Sequence, residues 1–204
     1  MYDTVAPEWA EAFADEHAHK PMDREMLGRF AREVGDASPV WDLGCGPGNT
    51  SRYLKDLGLA VSGLDVSGGI LAEARRRHPD IPFLRGDLLA LPFGEERVAA
   101  AVAFYAIVHF TRDQAERAFR EIFRVLRPGG LFLGTYHVGE DILSIREYLG
   151  HAVDIDFFFF PSDFITRCLG ECGFRRIEVM EREPYSGVEY PSRRAYVFAS
   201  KPGG

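Results

Sequence analysis

The stretch "VWDLGCGPGN", Val40–Asn49, sets three glycines at alternate positions directly behind a short apolar run. An apolar run of this length closed by glycine reads as a buried strand entering a turn. Glycine there lets the backbone turn tightly and lets a ligand approach amides and carbonyls that any Cβ would screen. In open α/β sheets, ligands lie beyond the carboxyl ends of the strands, where strand order reverses. The spacing is G-x-G-x-G, and Asn49 stands where a dinucleotide fingerprint places its third glycine. Asp42, just before the turn, is awkward beside a pyrophosphate and welcome beside a cation.

Outward from this turn, β-type runs alternate with helical patterns, which predicts βαβ units around a mostly parallel sheet. The strands are expected at Val40–Leu43, 60–65, 81–84, 99–104 and 130–135. Between them, Thr50 to Leu57 reads as a helix stopped by Gly58. Ser67 is a candidate N-cap for a helix ending before Pro79. Thr111 and Gln114 have capping-box spacing, ahead of a helix from Gln114 to Leu126 that repeats Ala115, Ala118, Phe119, Ile122, Phe123 and Leu126 at helical intervals. A further helix, Ser162 to Cys172, is stopped by Gly173. The β-like runs at 175–183 and 194–200 have no helix between them and are expected to pair antiparallel. Residues 1–35 look helical, with Met22, Met26, Leu27, Phe30 and Val34 on one side. They form a cap or lid on a core spanning 36–204, within a single domain.

Four motifs now agree in order and spacing. "VWDLGCGPGN" resembles motif I of the class I S-adenosylmethionine-dependent methyltransferases. "VSGLDVS" is similar to the second-strand motif ending in a ribose-binding acid, "FLRGDLLALPF" to the third-strand motif, and "VLRPGGLFLGTY" to the helix-to-fifth-strand motif. The resemblance covers about residues 38–136. It implies a three-layer Rossmann-like α/β sandwich: a seven-stranded, mostly parallel sheet with an antiparallel C-terminal strand and an N-terminal helical cap. It also implies S-adenosyl-L-methionine as cofactor and S-adenosyl-L-homocysteine as product. Cofactor contacts carry over to Asp42, Gly44, Cys45, Gly46, Asp65, Val66, Asp87, Leu88 and Phe104. The chemistry suits these residue types, because the cofactor has a sulfonium, an ammonium and a ribose diol but no phosphate. Asp65 at a strand end can accept both ribose hydroxyls, and Asp87 can accept from the adenine amino group. Gly44 and Asp42 serve the methionine ammonium by the same resemblance.

The acceptor side is less determined. At the end of the fourth strand this chain has Phe104, Tyr105, Ala106 and Ile107 in place of a (D/N)PP(Y/F) motif, which counts against an exocyclic planar amine. Tyr105 reads either as a cation–π partner for the sulfonium or as a plain core aromatic. His109 is the first candidate for a general base and His137 the second, each against a packing role. The run Phe157–Phe160 cannot face one side, so some of it is core and some is free to line an apolar pocket. Tyr2, Trp9 and Phe13, then "HKPMDR", resemble the cap of small bacterial methyltransferases, with Lys20 or Arg24 meeting the cofactor carboxylate or an anionic substrate.

Composition bounds the rest. Twenty-four Lys and Arg against 31 Asp and Glu give a net charge of -7 without a basic stripe, which disfavours nucleic-acid partners. The short cluster Arg75–Arg77 reads as a solvated helix face. The three cysteines, Cys45, Cys168 and Cys172, form no CxxC pair and read as small buried hydrophobes. No ligand spacing points to a metal. Neither a signal peptide nor a membrane span is evident, so a cytoplasmic monomer or homodimer is expected. The expected reaction is methyl transfer to a small molecule, with oxygen ahead of nitrogen or carbon. The alternatives are a non-catalytic S-adenosylmethionine-binding module and, less favoured, a nicotinamide-dependent oxidoreductase.

Overall fold

The computed structural model describes residues 6–13, 17–148 and 150–204; Tyr2 and the Trp9 side chain, both assigned above to the cap, lie outside the described residues. In chain order the helices are α1 (Ala6–Ala12), α2 (Pro21–Val34), α3 (Asn49–Asp56), α4 (Gly68–Arg77), α5 (Arg112–Val125) and α6 (Ser162–Cys172). The strands are β1 (Val40–Leu43), β2 (Val61–Asp65), β3 (Phe83–Arg85), β4 (Val98–Ala103), β5 (Leu126–His137), β6 (Ile142–Tyr148), β7 (His151–Phe158), β8 (Arg175–Arg182) and β9 (Arg194–Ser200).

Seven strands form one sheet in the order β3-β2-β1-β4-β5-β9-β8. β1 to β5 pair in parallel, and β9 runs antiparallel to both β5 and β8. This is the Rossmann-like α/β architecture expected above. Strand order reverses beside β1, where β2 lies on one side and β4 on the other, so the glycine turn sits at the crevice.

Adjacent residues on a strand face opposite layers, and the core divides accordingly. Phe132 packs with Phe119, Ile122, Leu169 and Phe174 under α5 and α6. Its neighbour Leu133 packs with Leu27, Phe30, Leu54 and Tyr196 under α2 and α3. Met26, Leu27, Phe30 and Val34 of the leader are buried as their spacing predicts.

Local signals act where they were read. Ser67 Oγ accepts from Ile70 N–H (3.2 Å). Thr111 Oγ1 accepts from Gln114 N–H (3.4 Å), while Thr111 N–H donates back to Gln114 Oε1 (2.9 Å). Gly173, at φ 105°, ends α6. The strand expected at 81–84 starts two residues later: Pro82 has no N–H for the ladder, and Ile81 N–H closes a turn on His78 O (3.0 Å). β5 extends beyond 130–135 at both ends, because Leu126 already pairs with Val98 and His137 still pairs with Arg194.

One element departs from the sequence reading. "GHAVDID" looks like a loop, yet 151–158 is β7, paired antiparallel with β6 in a separate two-stranded sheet. Asp154 and Asp156 alternate with Val153, Ile155 and Phe157, because only one face of this hairpin meets apolar partners.

Candidate functional site

A cavity of about 570 Å³ opens beyond the carboxyl ends of β1, β2 and β4. The glycine turn forms part of its wall. Gly44 N–H and Cys45 N–H both donate to Leu64 O (2.7 and 3.0 Å), which folds the turn back onto β2. Gly44 and Gly46 have φ of +74° and +53°, a region that side chains rarely adopt. A Cβ on Gly44 would lie 2.5 Å from the Ala106 Cβ, whereas one on Gly46 would meet nothing within 4 Å. Gly46 lines the cavity, so its missing side chain is space left for a ligand.

This contrast gives a first prediction. Gly44→Ala combines left-handed strain with a steric clash and is expected to cost about 2–4 kcal/mol of stability. Gly46→Ala carries only the strain and is expected to lose ligand affinity before stability. Urea midpoints beside calorimetric S-adenosylhomocysteine titrations check both; equal destabilisation by the two variants contradicts the reading.

Asp65 closes the turn from β2. Its Oδ2 accepts Gly46 N–H (3.0 Å) and its Oδ1 accepts Ser67 N–H (2.9 Å). The carboxylate lines the cavity with those bonds in place. Val66, Ile70 and Leu88 give this part of the wall an apolar face.

Other expected cofactor residues divide between wall and support. Cys45 and Phe104 line the cavity. Burial and the nearby Asp42 and Asp65 carboxylates push the Cys45 thiol well above its usual range. Asp42 is buried behind the wall, where its Oδ2 accepts from Ser51 Oγ (2.6 Å). Asp87 is exposed outside the lining, and its Oδ1 accepts Leu89 N–H (2.8 Å) in the turn that presents Leu88. Lys20, buried and in the wall, holds its Nζ 5.6 Å from the Tyr105 ring centroid. Arg24 instead donates to the His17 and Ala18 carbonyls (2.5 and 2.6 Å).

The acceptor-side candidates also meet here. Tyr105 takes φ 53° at the end of β4, and its N–H donates to Thr135 Oγ1 (2.7 Å). Its hydroxyl is buried and makes no hydrogen bond among the described residues. Burial, with the Asp23 carboxylate, pushes that phenol well above its usual range. His109 ends a short 3-10 turn (Ile107–His109); its Nδ1 lies 3.2 Å from Asp156 O and its ring 4.7 Å from that of Phe157. Burial lowers its pKa, opposed by that hydrogen bond. A carbonyl only accepts, so Nδ1 carries the proton and Nε2 the lone pair. His137 stacks on Phe159 at 4.9 Å. Burial first, then the Arg194 cation, brings its pKa down to about 3.

The phenylalanine run splits. Phe157 and Phe159 line the cavity, Phe158 packs on the core's edge and Phe160 is fully buried. With Ile155 the lining positions are i, i+2 and i+4, a period-two signal readable in the sequence once the strand is recognised. On β6, Leu143 and Ile145 line the cavity in the same way, and a bulge after Ile145 brings Tyr148 round to it. The β8–β9 connection adds Val188, Glu189 and Tyr190, and β9 adds Arg194. Nothing in their local sequence announces these, because they reach the site through tertiary contact alone. Among the described residues no group of His, Cys, Asp or Glu converges as a metal site, and no helix is long and apolar enough to cross a membrane.

Comparison with known proteins adds relatives. Residues 40–130 match a family described as a methyltransferase domain. The chain is 34% identical over 126 residues to a malonyl-[acyl-carrier protein] O-methyltransferase of Enterobacter lignolyticus, covering 62% of this chain and 47% of that protein. It is 32% identical over 136 residues to a demethylmenaquinone methyltransferase of Renibacterium salmoninarum, covering 64% and 54%. The chain thus spans about half the length of the curated relatives it matches. Among solved structures, a SAM-dependent methyltransferase of Methanosarcina mazei superposes with a TM-score of 0.72 at 17% identity, covering 83% of this chain and all of that one. The glycopeptide N-methyltransferase MtfA, complexed with S-adenosyl-L-methionine, superposes at 0.67 with 21% identity, covering 88% and 94%. At these identities the superpositions speak for the fold.

Proposed function

We infer, for a chain whose residues 40–130 belong to the class I S-adenosylmethionine-dependent methyltransferases, that it transfers the cofactor's methyl group to a small molecule, with oxygen the favoured acceptor atom. The observation that carries the reading is the bare glycine turn and the Asp65 carboxylate bonded to it, side by side in the wall of a largely apolar cavity. This donor set fits S-adenosylmethionine: carboxylate for a diol, open backbone for a cationic amino acid, and an apolar slot for a base. The cofactor supplies an electrophilic methyl on a sulfonium.

In this reading Asp65 accepts the ribose hydroxyls from its place in the cavity wall. Gly44, Cys45 and Gly46 present backbone to the methionine portion, and Asp42 braces the turn through Ser51. Val66 and Leu88 sandwich the adenine, and the second oxygen of Asp87 takes its amino group. Lys20 rather than Arg24 meets the cofactor carboxylate. Phe104 and Tyr105 face the sulfonium as aromatic surface. In-line displacement asks the protein mainly for alignment and water exclusion, which the Phe157 and Phe159 wall provides. His109, neutral with a basic Nε2, takes the proton of an acceptor hydroxyl.

The cofactor reading is tested by calorimetry with S-adenosylhomocysteine, and the reaction by a labelled-methyl transfer screen over host metabolites. Tight cofactor binding with transfer to nothing overturns the enzyme reading in favour of a binding module. For His109, burial makes the base weak, so His109→Ala is expected to lower turnover by only about tenfold, below the usual range for a general base. Cofactor affinity stays unchanged; full turnover in that variant returns His109 to packing.

A further inference from the structure

Two histidines line one cavity, and their hydrogen bonds fix opposite tautomers. His109 gives its Nδ1 proton to Asp156 O. At His137, Nδ1 lies 2.7 Å from Ser192 Oγ, which in turn accepts from Arg194 Nη1 (3.0 Å). Arg194 is held in place by Glu189 Oε2 (3.0 Å) and by the Tyr190 and Ser192 carbonyls. A guanidinium only donates, so the Ser192 hydroxyl proton is the one free to point elsewhere. The acceptor in its reach is His137 Nδ1. That leaves the imidazole proton on Nε2, which bonds nothing among the described residues.

We propose that His137 is a fixed hydrogen-bond donor that reads an oxygen of the acceptor, so that the substrate is a hydroxyl flanked by a carbonyl oxygen on an apolar body. The inference rests on the methyl-transfer reading and deepens it. His109 Nε2, a lone pair, suits the hydroxyl; His137 Nε2–H suits the neighbouring carbonyl. The apolar body is met by Phe157, which packs against the His109 ring, and by Phe159, on which the His137 ring is stacked.

His137 keeps this role across the working pH range. Arg194, Lys20 and His109 face it as cations or potential cations and Glu189 as the opposing carboxylate, while Tyr105 packs on its ring at 5.7 Å. Burial and Arg194 dominate and hold it neutral. A neutral imidazole donates through one nitrogen without competing for the hydroxyl's proton. The assignment also reorders the two base candidates: His137 is excluded as a base by its spent Nδ1 and its low pKa.

The test uses the full chain loaded with S-adenosylhomocysteine, with ortho-hydroxyacetophenone as probe and ortho-ethylphenol, which lacks the carbonyl oxygen, as its comparison. A site that expects a hydrogen-bonding group rejects the analogue lacking it. Wild type is expected to bind the ketone about five- to tenfold more tightly than the phenol, as one hydrogen bond of ordinary worth gives. His137→Leu abolishes that preference, His137→Gln keeps part of it through its amide N–H, and Ser192→Ala weakens it by releasing the tautomer. Nitrogen-15 shifts of the His137 ring should report Nε2–H with no protonation down to about pH 5. Equal affinity for the two probes, no binding of either, an unchanged preference in His137→Leu, or an Nδ1–H tautomer overturns the proposal. Failure to bind S-adenosylhomocysteine instead overturns the cofactor reading on which it rests.

Discussion

Asp65→Ala is expected to weaken S-adenosylhomocysteine binding by about 10- to 100-fold, the loss of a charge-assisted hydrogen bond worth ~1.5–3 kcal/mol. The effect has two sources. One is the ribose contact proposed above. The other is the turn, since Gly46 N–H and Ser67 N–H both end on this carboxylate. Ser67 is also the cap of α4, so the alanine variant loosens the loop that carries Val66. Asp65→Asn separates the two sources. It keeps one acceptor oxygen, which can hold a single backbone N–H, and loses the charge and the paired geometry that a diol needs. Calorimetry on both variants, with thermal unfolding as a control, reads the difference. Asn close to Ala in affinity but close to wild type in stability supports the ribose role. Wild-type affinity in Asp65→Ala removes Asp65 from the cofactor site and with it the main support for the functional reading.

Much of this arrangement was legible in the sequence, for physical reasons that differ by element. The glycine turn, the Ser67 cap and the Thr111 capping box are local devices, in which the residue that signals the structure also makes the bond. The parallel strands were legible because a strand buried on both faces is continuously apolar, as β4 is along its full length. The β6–β7 hairpin was not. One of its faces covers the cavity and the other meets solvent, and the charged Arg146, Asp154 and Asp156 pair across the strands; the apolar–polar alternation is present from Val153 to Phe157, but the run of four phenylalanines that follows masks it. Asp42 and Asp87 show a different limit. Motif position points to cofactor contact and is silent on the hydrogen bond each makes in the fold, Asp42 to Ser51 and Asp87 to Leu89 N–H. Arg194 and Glu189 were unreadable because their meaning depends on a buried charge cluster drawn from distant segments.

That cluster should give the largest loss of stability: Arg182→Ala is expected to lower unfolding free energy by about 3–5 kcal/mol, the usual cost of removing one partner from a buried ion pair. Arg182 ends β8 with its side chain only 8% exposed. It donates to Asp23 Oδ1 of α2 (3.2 Å), to Tyr196 Oη of β9 (2.8 Å) and to both oxygens of Glu189. Its guanidinium also lies 4.2 Å from the Tyr185 ring centroid, and the Tyr185 hydroxyl accepts Met22 N–H (3.1 Å). One cation therefore ties the leader helix to the β8–β9 connection that lines the cavity. Arg182→Met together with Asp23→Asn removes one charge of each sign, leaves Glu189 paired with Arg194, and should restore much of the loss, because the cost comes from stranding a carboxylate in the interior. The pH dependence has a definite sign. Burial alone would raise the Glu189 pKa, but the Arg182 hydrogen bond, the Tyr185 N–H and Arg194 bring it below its usual value near 4.5. A carboxylate with a depressed folded pKa contributes stability above its unfolded value and loses it as pH falls through the folded one. Wild type should therefore lose stability below about pH 4.5 more steeply than the Arg182→Ala variant. Unfolding curves between neutrality and pH 3 measure both effects. A single variant as stable as wild type would mean that the cluster is solvated in solution, and the cavity wall it supports would then need another anchor.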